Sequence, residues 1–199
     1  QVKKTSLADF SRPRPSGIIA VDLTDGDRLI GVALTDGKHD VMLFSSGGKA
    51  VRFDENDVRP MGRNAHRVKG MSLDKGQKVI ALLVAEDENQ SVLTATENGY
   101  GKRTPIVEHT RHGRGTKGMI AIQQTARNGQ VVAAALVRPA AEVLLTAHRE
   151  LEKLVLTGRQ IRVKETVSAV YGDLVHEGQH LDPVCRDIEA LLLSSQERV

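Results

Sequence analysis

The sequence has no tryptophan, two tyrosines and three phenylalanines, which argues against a surface that holds single-stranded nucleic acid by stacking bases on rings. A single cysteine excludes an internal disulfide framework and a Cys-rich zinc module, and it fits a reducing cytosol. No apolar run reaches the roughly 18 residues that mark a membrane-spanning helix. No charged stretch followed by a short apolar core opens the sequence, so neither a membrane span nor a secretory signal is expected. What is plentiful is glycine, 18 residues of it, and this points to a turn-rich β protein. At 199 residues the chain is long enough for one or two domains with a hydrophobic core.

The formal net charge of +3 conceals two unlike segments. Residues 1–138 carry 21 Lys+Arg against 15 Asp+Glu, a balance of +6, whereas residues 139–199 carry 7 against 10, a balance of −3. Glycine divides the same way, 15 before and 3 after, so composition places a boundary near Arg138.

The first segment repeats itself. DGDRLIGVALTDGKHDVMLFS (25–45), KGQKVIALLVAEDENQSVLTAT (75–96) and RNGQVVAAALVRPAAEVLLT (127–146) align so that Leu29, Val79 and Val131 correspond, as do Val41, Val92 and Val143. KKT at 3–5 matches KRT at 102–104, with KAVRF at 49–53 related to both. GIIAV (17–21), GMSL (70–73) and GMIAI (118–122) align as a closing strand. Each unit of about 50 residues reads as an apolar strand, a second strand ending in a Gly turn, a strand carrying Lys or Arg, and a Gly-led strand. The turns are SSGGK (45–49) and TENGY (96–100), and Asn98-Gly99 is a strong hairpin signal. Four strands in about 50 residues is the size of a propeller-like blade.

Charge collects in the loop before each Gly-led strand. One loop holds Lys49, Arg52, Arg59, Arg63, Arg67 and Lys69; the next holds Lys102, Arg103, Arg111, Arg114 and Lys117; a partial first copy supplies Lys3, Lys4, Arg12 and Arg14. Placed at equivalent points of successive blades, these side chains should form a curved stripe able to follow a phosphate backbone. With few rings to stack on, duplex DNA held by charge and shape fits better than a single strand.

Residues 2–137 resemble the C-terminal domain of the A subunit of DNA gyrase, a bacterial type IIA topoisomerase. The stretches that carry the resemblance are VKKTSLADFSRPRPSGIIAV, LIGVALTDGKHDVMLFSSGGKAVRF, VRPMGRNAHRVKGM, SVLTATENGYGKRT and RHGRGTKGMIAIQ. The resemblance implies a six-bladed β-pinwheel whose neighbouring blades exchange strands, with duplex DNA wrapped on its basic perimeter in support of ATP-dependent negative supercoiling. It also implies a cytoplasmic, nucleoid-associated location, where the partners are the gyrase B subunit together with the remainder of the A subunit. The Gln-Arg-Arg-Gly-Gly-Lys-Gly box of the family is absent, and RHGRGTKG (111–118) is only a degenerate relative of it. The catalytic tyrosine and the metal-binding region have no counterpart, so the chain alone is expected to be non-catalytic and to need no cofactor.

The sequence thus predicts a mainly β fold: a partial, DNA-binding β-pinwheel over residues 1–146, then a helical segment of unknown role over 147–199. In the tail, Leu144, Ala147, Leu151, Leu154 and Val155 share one helical face. Val163, Val167, Val170, Tyr171 and Leu174 mark a second helix, and Asp182-Pro183 opens a third. The tail resembles no pinwheel repeat and is assigned to no family. It stands as a fused segment, a helical hairpin docked on the blades or an oligomerisation element. HEGQH (176–180) has the H-E-x-x-H spacing, which makes His176 and His180 candidate zinc ligands. Gly178 and Asp182-Pro183 oppose a helix there and no third ligand stands out, so no metal site is expected. Cys185 has no paired base and reads as a small apolar residue. The rival to DNA binding is a scaffold in which the helices bind a protein partner or self-associate.

Overall fold

The computed structural model describes residues 1–139, Val143, Leu154–Leu156 and Arg162–Val163. Two hairpins organise residues 1–139. The first pairs β1 (Asp40–Ser45) with β2 (Lys49–Asp54); the second pairs β4 (Ser91–Thr96) with β5 (Tyr100–Pro105). Between and after them lie β3 (Val79–Ala85), β6 (Met119–Ile120) and β7 (Val131–Val137). The Asn98-Gly99 turn joins β4 to β5 as expected, with Gly99 at φ 77°, a backbone region costly to other residues.

Neither hairpin is completed by its own repeat. β3 pairs antiparallel with β1 from Asp40↔Ala85 to Ser45↔Val79, and β7 pairs with β4 from Ser91↔Val137 to Thr96↔Val131. The other flank of the first hairpin is closed by β6, through Lys49↔Ile120 and Ala50↔Met119, giving the order β3-β1-β2-β6. The inner two strands of this sheet belong to one repeat and the outer two come from further along the chain. The repeat extends to irregularities: the β1/β3 register breaks between Phe44 and Ser45, and β4/β7 breaks between Ala95 and Thr96. Beside each break the same contact recurs. The Lys49 N–H donates to Ser45 Oγ and the Tyr100 N–H to Thr96 Oγ1, each at 3.2 Å, so a hydroxyl at the strand end draws the backbone into its turn.

Period-two alternation splits the apolar residues of the first hairpin between two cores. Met42, Phe44 and Ala50 face one way and pack with Ala85, Val92, Ile106 and Ala121, fusing the two repeats. Leu43, Val51 and Phe53 face the other way and pack with Val58 and Met71, flanked by Val2 and Val68. Gly118, which opens the Gly-led strand β6, sits at φ 72°, and a Cβ there would lie 2.1 Å from the Ala50 carbonyl oxygen. That contact, with the positive φ, requires glycine at this position.

Two expectations change. Residues 29–35, aligned with β3 and β7, form no strand, and Val32 and Leu34 are 78% and 75% exposed. By the pairing rule of β3 and β7, this segment needs a hairpin one repeat upstream, and residues 1–28 hold none. In the tail, Leu154–Leu156 (β8) is a strand, not part of a helix, and pairs in parallel with β5 through Tyr100↔Val155 and Gly101↔Leu156. Arg162–Val163 (β9) is likewise strand. A free β5 edge accepts any extended segment brought beside it. The rest of the expected helices lies outside the described residues.

Gly118→Ala should cost roughly 2–4 kcal/mol in urea unfolding, because it combines a backbone clash with a positive φ. Gly62→Ala, where a Cβ meets nothing within 4 Å, should stay within about 1 kcal/mol of the parent chain.

Candidate nucleic-acid interface

The basic loops of successive repeats are seated by the same contacts. Lys4 pairs in parallel with Pro60, and the Met61 N–H donates to the Lys4 carbonyl at 2.9 Å. One repeat on, Arg52 pairs in parallel with Arg111, and the His112 N–H donates to the Arg52 carbonyl at 2.7 Å. Each loop then sends an arginine back to the preceding repeat. The Arg63 guanidinium donates to the Ile19 carbonyl at 2.8 Å, and Arg114 donates to the Lys69 carbonyl at 3.1 Å and to that of Asp57 at 2.9 Å. The Gly-rich stretch beside Arg114 is fixed by its own backbone: the Gly115 N–H donates to the Gly70 carbonyl and the Ser72 N–H to that of Thr116.

Within this frame the fifteen candidate cations divide into three groups and one exception. Five are spent on carboxylates, of which Glu55 and Asp40 are buried. Lys4 lies 2.8 Å from Glu55, Arg67 lies 3.1 Å from Asp27, Arg111 holds Asp40 and Asp54, and Lys49 and Lys117 share Asp74. Lys3, Arg63, Arg103 and Arg114 donate only to carbonyl oxygens, those of Arg63, Ile19, Arg138 and of Lys69 with Asp57, so among the described residues their charge is uncompensated. Arg12, Arg14, Arg59 and Lys69 are exposed and Lys102 is half-buried, and none has an acidic partner among the described residues.

Arg52 is the exception. It is 8% exposed and holds Asp40 Oδ2 at 2.6 Å, and it also donates to the carbonyls of Ile106 and His109 at 3.0 and 3.2 Å. The cause is alternation: Arg52 follows Ala50 on the inward face of β2, so it cannot join an exposed stripe. With Arg111 on the same carboxylate at 2.9 Å, Asp40 ties the first hairpin to the second basic loop.

Two buried groups that sequence reasoning passed over are explained by the repeat. The Glu55 N–H donates to the His39 carbonyl and the Ile106 N–H to that of Gln90, so Glu55 occupies the core position of Ile106. Burial opposes its ionisation. The Lys4 ammonium, the Thr35 hydroxyl and the N–H groups of His39 and Gly37 outweigh that and lower its pKa to about 2. Asp36, His39 and Glu55 present ligand atoms within 4.8 Å of one another, but the Lys4 ammonium already satisfies the Glu55 carboxylate. His109 likewise occupies the core position of Val58, its N–H on the Ile106 carbonyl as that of Val58 is on Glu55. Its ring stands edge-on to Phe44 and neither ring nitrogen has a partner among the described residues. Burial, then the charges of Lys102 and Arg52, lower its pKa below the ordinary 6.5. His176, His180 and Cys185 lie outside the described residues.

The sequence model of the DNA gyrase C-terminal domain, a beta-propeller, matches residues 1–36, 39–86 and 90–138, more than half of the chain. The chain belongs to this family. The DNA gyrase A subunit of Pseudomonas aeruginosa is 49% identical over 164 residues, which cover 79% of this chain and 18% of that protein. The chain therefore spans about a fifth of the length of that gyrase protein. Among solved structures, the C-terminal domain of DNA topoisomerase IV superposes with a TM-score of 0.65 at 27% identity, over 68% of this chain and 43% of that one. The DNA gyrase A C-terminal domain superposes with a TM-score of 0.56 at 29% identity, over 61% and 42%. Residues 134–199, which sequence reading left without a family, match the model of the arginosuccinate synthase C-terminal domain. No helix among the described residues of this gyrase-type chain is long and apolar enough to cross a membrane.

Because His109 is kept neutral by the fold, unfolding takes up a proton below pH 6.5. Stability should be fully present above that pH and decline beneath it, and His109→Leu should remove the decline. Glu55 adds a second loss as pH falls from 4.5 toward 2, because its carboxylate is held ionised. Urea unfolding across this pH range separates the two. Asp40→Asn, which leaves the buried Arg52 only the exposed Glu88 carboxylate at 3.6 Å, should cost about 3 kcal/mol at neutral pH.

Proposed function

We propose that residues 1–138 bind and bend duplex DNA along the edge formed by the three basic loops, without sequence preference, as the DNA-holding part of a gyrase-type A subunit. In that setting the chain is non-catalytic. Strand passage and ATP-dependent negative supercoiling belong to the gyrase B subunit together with the remainder of the A subunit, in the bacterial cytoplasm at the nucleoid.

The observation that carries this reading is the equivalent seating of the loops. Lys4 on Pro60 and Arg52 on Arg111 set successive loops in one orientation. Arg63 and Arg114 are each anchored by a carbonyl that leaves their charge unneutralised. Repetition at fixed geometry suits a ligand whose own charge repeats, and the DNA backbone is such a ligand. The reading is supported by family membership and by charge. Arg12, Arg14, Arg59, Lys69 and Lys102 carry no acidic partner among the described residues, so phosphates need not displace one. Arg52 is not among the contacts, since its guanidinium is enclosed.

Binding to a duplex of about 40 base pairs should weaken steeply between about 50 and about 200 mM salt, equally for unrelated sequences. Arg59→Ala and Lys69→Ala should each lower the salt slope by about 1 and leave thermal stability unchanged. Absence of binding at low salt, or affinity indifferent to salt, would refute the reading.

A further inference from the structure

Each repeat opens with a tight turn that follows its Gly-led strand or loop and ends at or beside a positive-φ glycine. The Asp27 N–H donates to the Thr24 carbonyl and the Gln77 N–H to that of Asp74, while in the third copy the turn is one residue longer, with the Asn128 and Gly129 N–H groups both on the Thr125 carbonyl. The turn-opening residue is therefore threonine, aspartate and threonine in the three copies. Thr24 opens a turn of the same span as Asp74, so the turn itself does not require a charge there, and the carboxylate of Asp74 is free to serve another contact.

What Asp74 touches is two lysines from different repeats. Lys117 Nζ is bound to its Oδ1, and Lys49 Nζ lies 3.2 Å from its Oδ2. Both lysines are positioned from behind. Lys49 follows the Gly48 turn and is held by Ser45 Oγ, and Lys117 lies between Thr116, whose carbonyl accepts from Ser72, and the constrained Gly118. Two ammonium groups thus converge on one small anion with two oxygens. The side chains of Asp74 and Lys117 are 40% and 61% exposed, so the cluster is open to an incoming anion. Lys117 and then Lys49 hold the Asp74 carboxyl below the usual carboxylate range.

We infer that Asp74 is an internal counterion seated where a backbone phosphate would lie, so that Lys49 and Lys117 form a phosphate seat which the duplex must take from Asp74. The inference rests on the DNA-binding reading and deepens it, since it names a residue that weakens and tunes the grip. Lys69, the counterpart of Lys117 one repeat earlier, has no such carboxylate among the described residues, and its turn opens with Thr24.

The test is duplex binding by the full chain and by Asp74→Asn, with Asp74→Thr as a second variant that restores the residue of the other two turns. Each variant should bind on the order of fivefold tighter at about 0.1 M salt, with a salt slope steeper by about 0.9, the increment for one more phosphate neutralised. Adding Lys49→Ala and Lys117→Ala to Asp74→Asn should erase the gain. Binding that is unchanged or weaker in both folded variants overturns the inference while leaving the DNA-binding reading standing. Failure of both parent and variants to bind at low salt overturns both.

Discussion

Everything in residues 1–139 depends on how a two-stranded hairpin satisfies its outer edges. β1–β2 and β4–β5 each expose backbone donors and acceptors on both flanks, and a lone hairpin in water is marginal. The solution is to complete each hairpin with strands from further along the chain, β3 on β1 and β7 on β4. Because the completing strand belongs to the next repeat, it carries that repeat's hairpin with it. The shared core of Met42, Phe44, Val92 and Ile106 follows from that linkage. The loops, strung between one repeat's hairpin and the next repeat's strand, inherit a fixed spacing.

That dependence also separates residues 29–35 from β3 and β7. Residues 29–35 have the composition of β3 and β7 and the same turn in front of them, yet they lack a strand's partners. Local β propensity without an acceptor edge leaves Val32 and Leu34 in solvent. Propensity chooses the kind of element, and pairing decides whether it forms. At β8 the reverse holds, because helical spacing in the tail yields to an available edge on β5.

Much of this was legible in the sequence because the repeat was legible. The 51-residue spacing placed both hairpins, the Asn98-Gly99 turn and the apolar strands, since period-two burial and Gly-bearing turns are local signals. The origin of β3 and β6 in the next repeat was not carried by composition, because pairing partners leave no mark on a strand's own residues; only the family resemblance implied strand exchange. The fates of Glu55 and His109 could have been found by carrying the alignment through polar residues. Glu55 stands opposite Ile106 and His109 opposite Val58, both core positions. What hid them is that a charged side chain is ordinarily assigned to the surface, and only a structure supplies the Lys4 ammonium that lets Glu55 be buried.

The same lesson decides which cations can act. Arg52 and Arg103 occupy equivalent places on β2 and β5, in register with Met42 and Leu93, with Asp40 diagonal to the first and Ser91 at the matching diagonal position beside the second. The aspartate pulls Arg52 into a buried pair, and the serine leaves Arg103 half-buried with only a carbonyl to hold. Identical residues at identical repeat positions thus serve packing in one copy and remain chargeable surface in the next, and the choice is made by a residue on the neighbouring strand. A basic stripe in a repeat protein is therefore set by where its carboxylates fall. Moving one acid between equivalent positions redistributes the grip without altering a single basic residue.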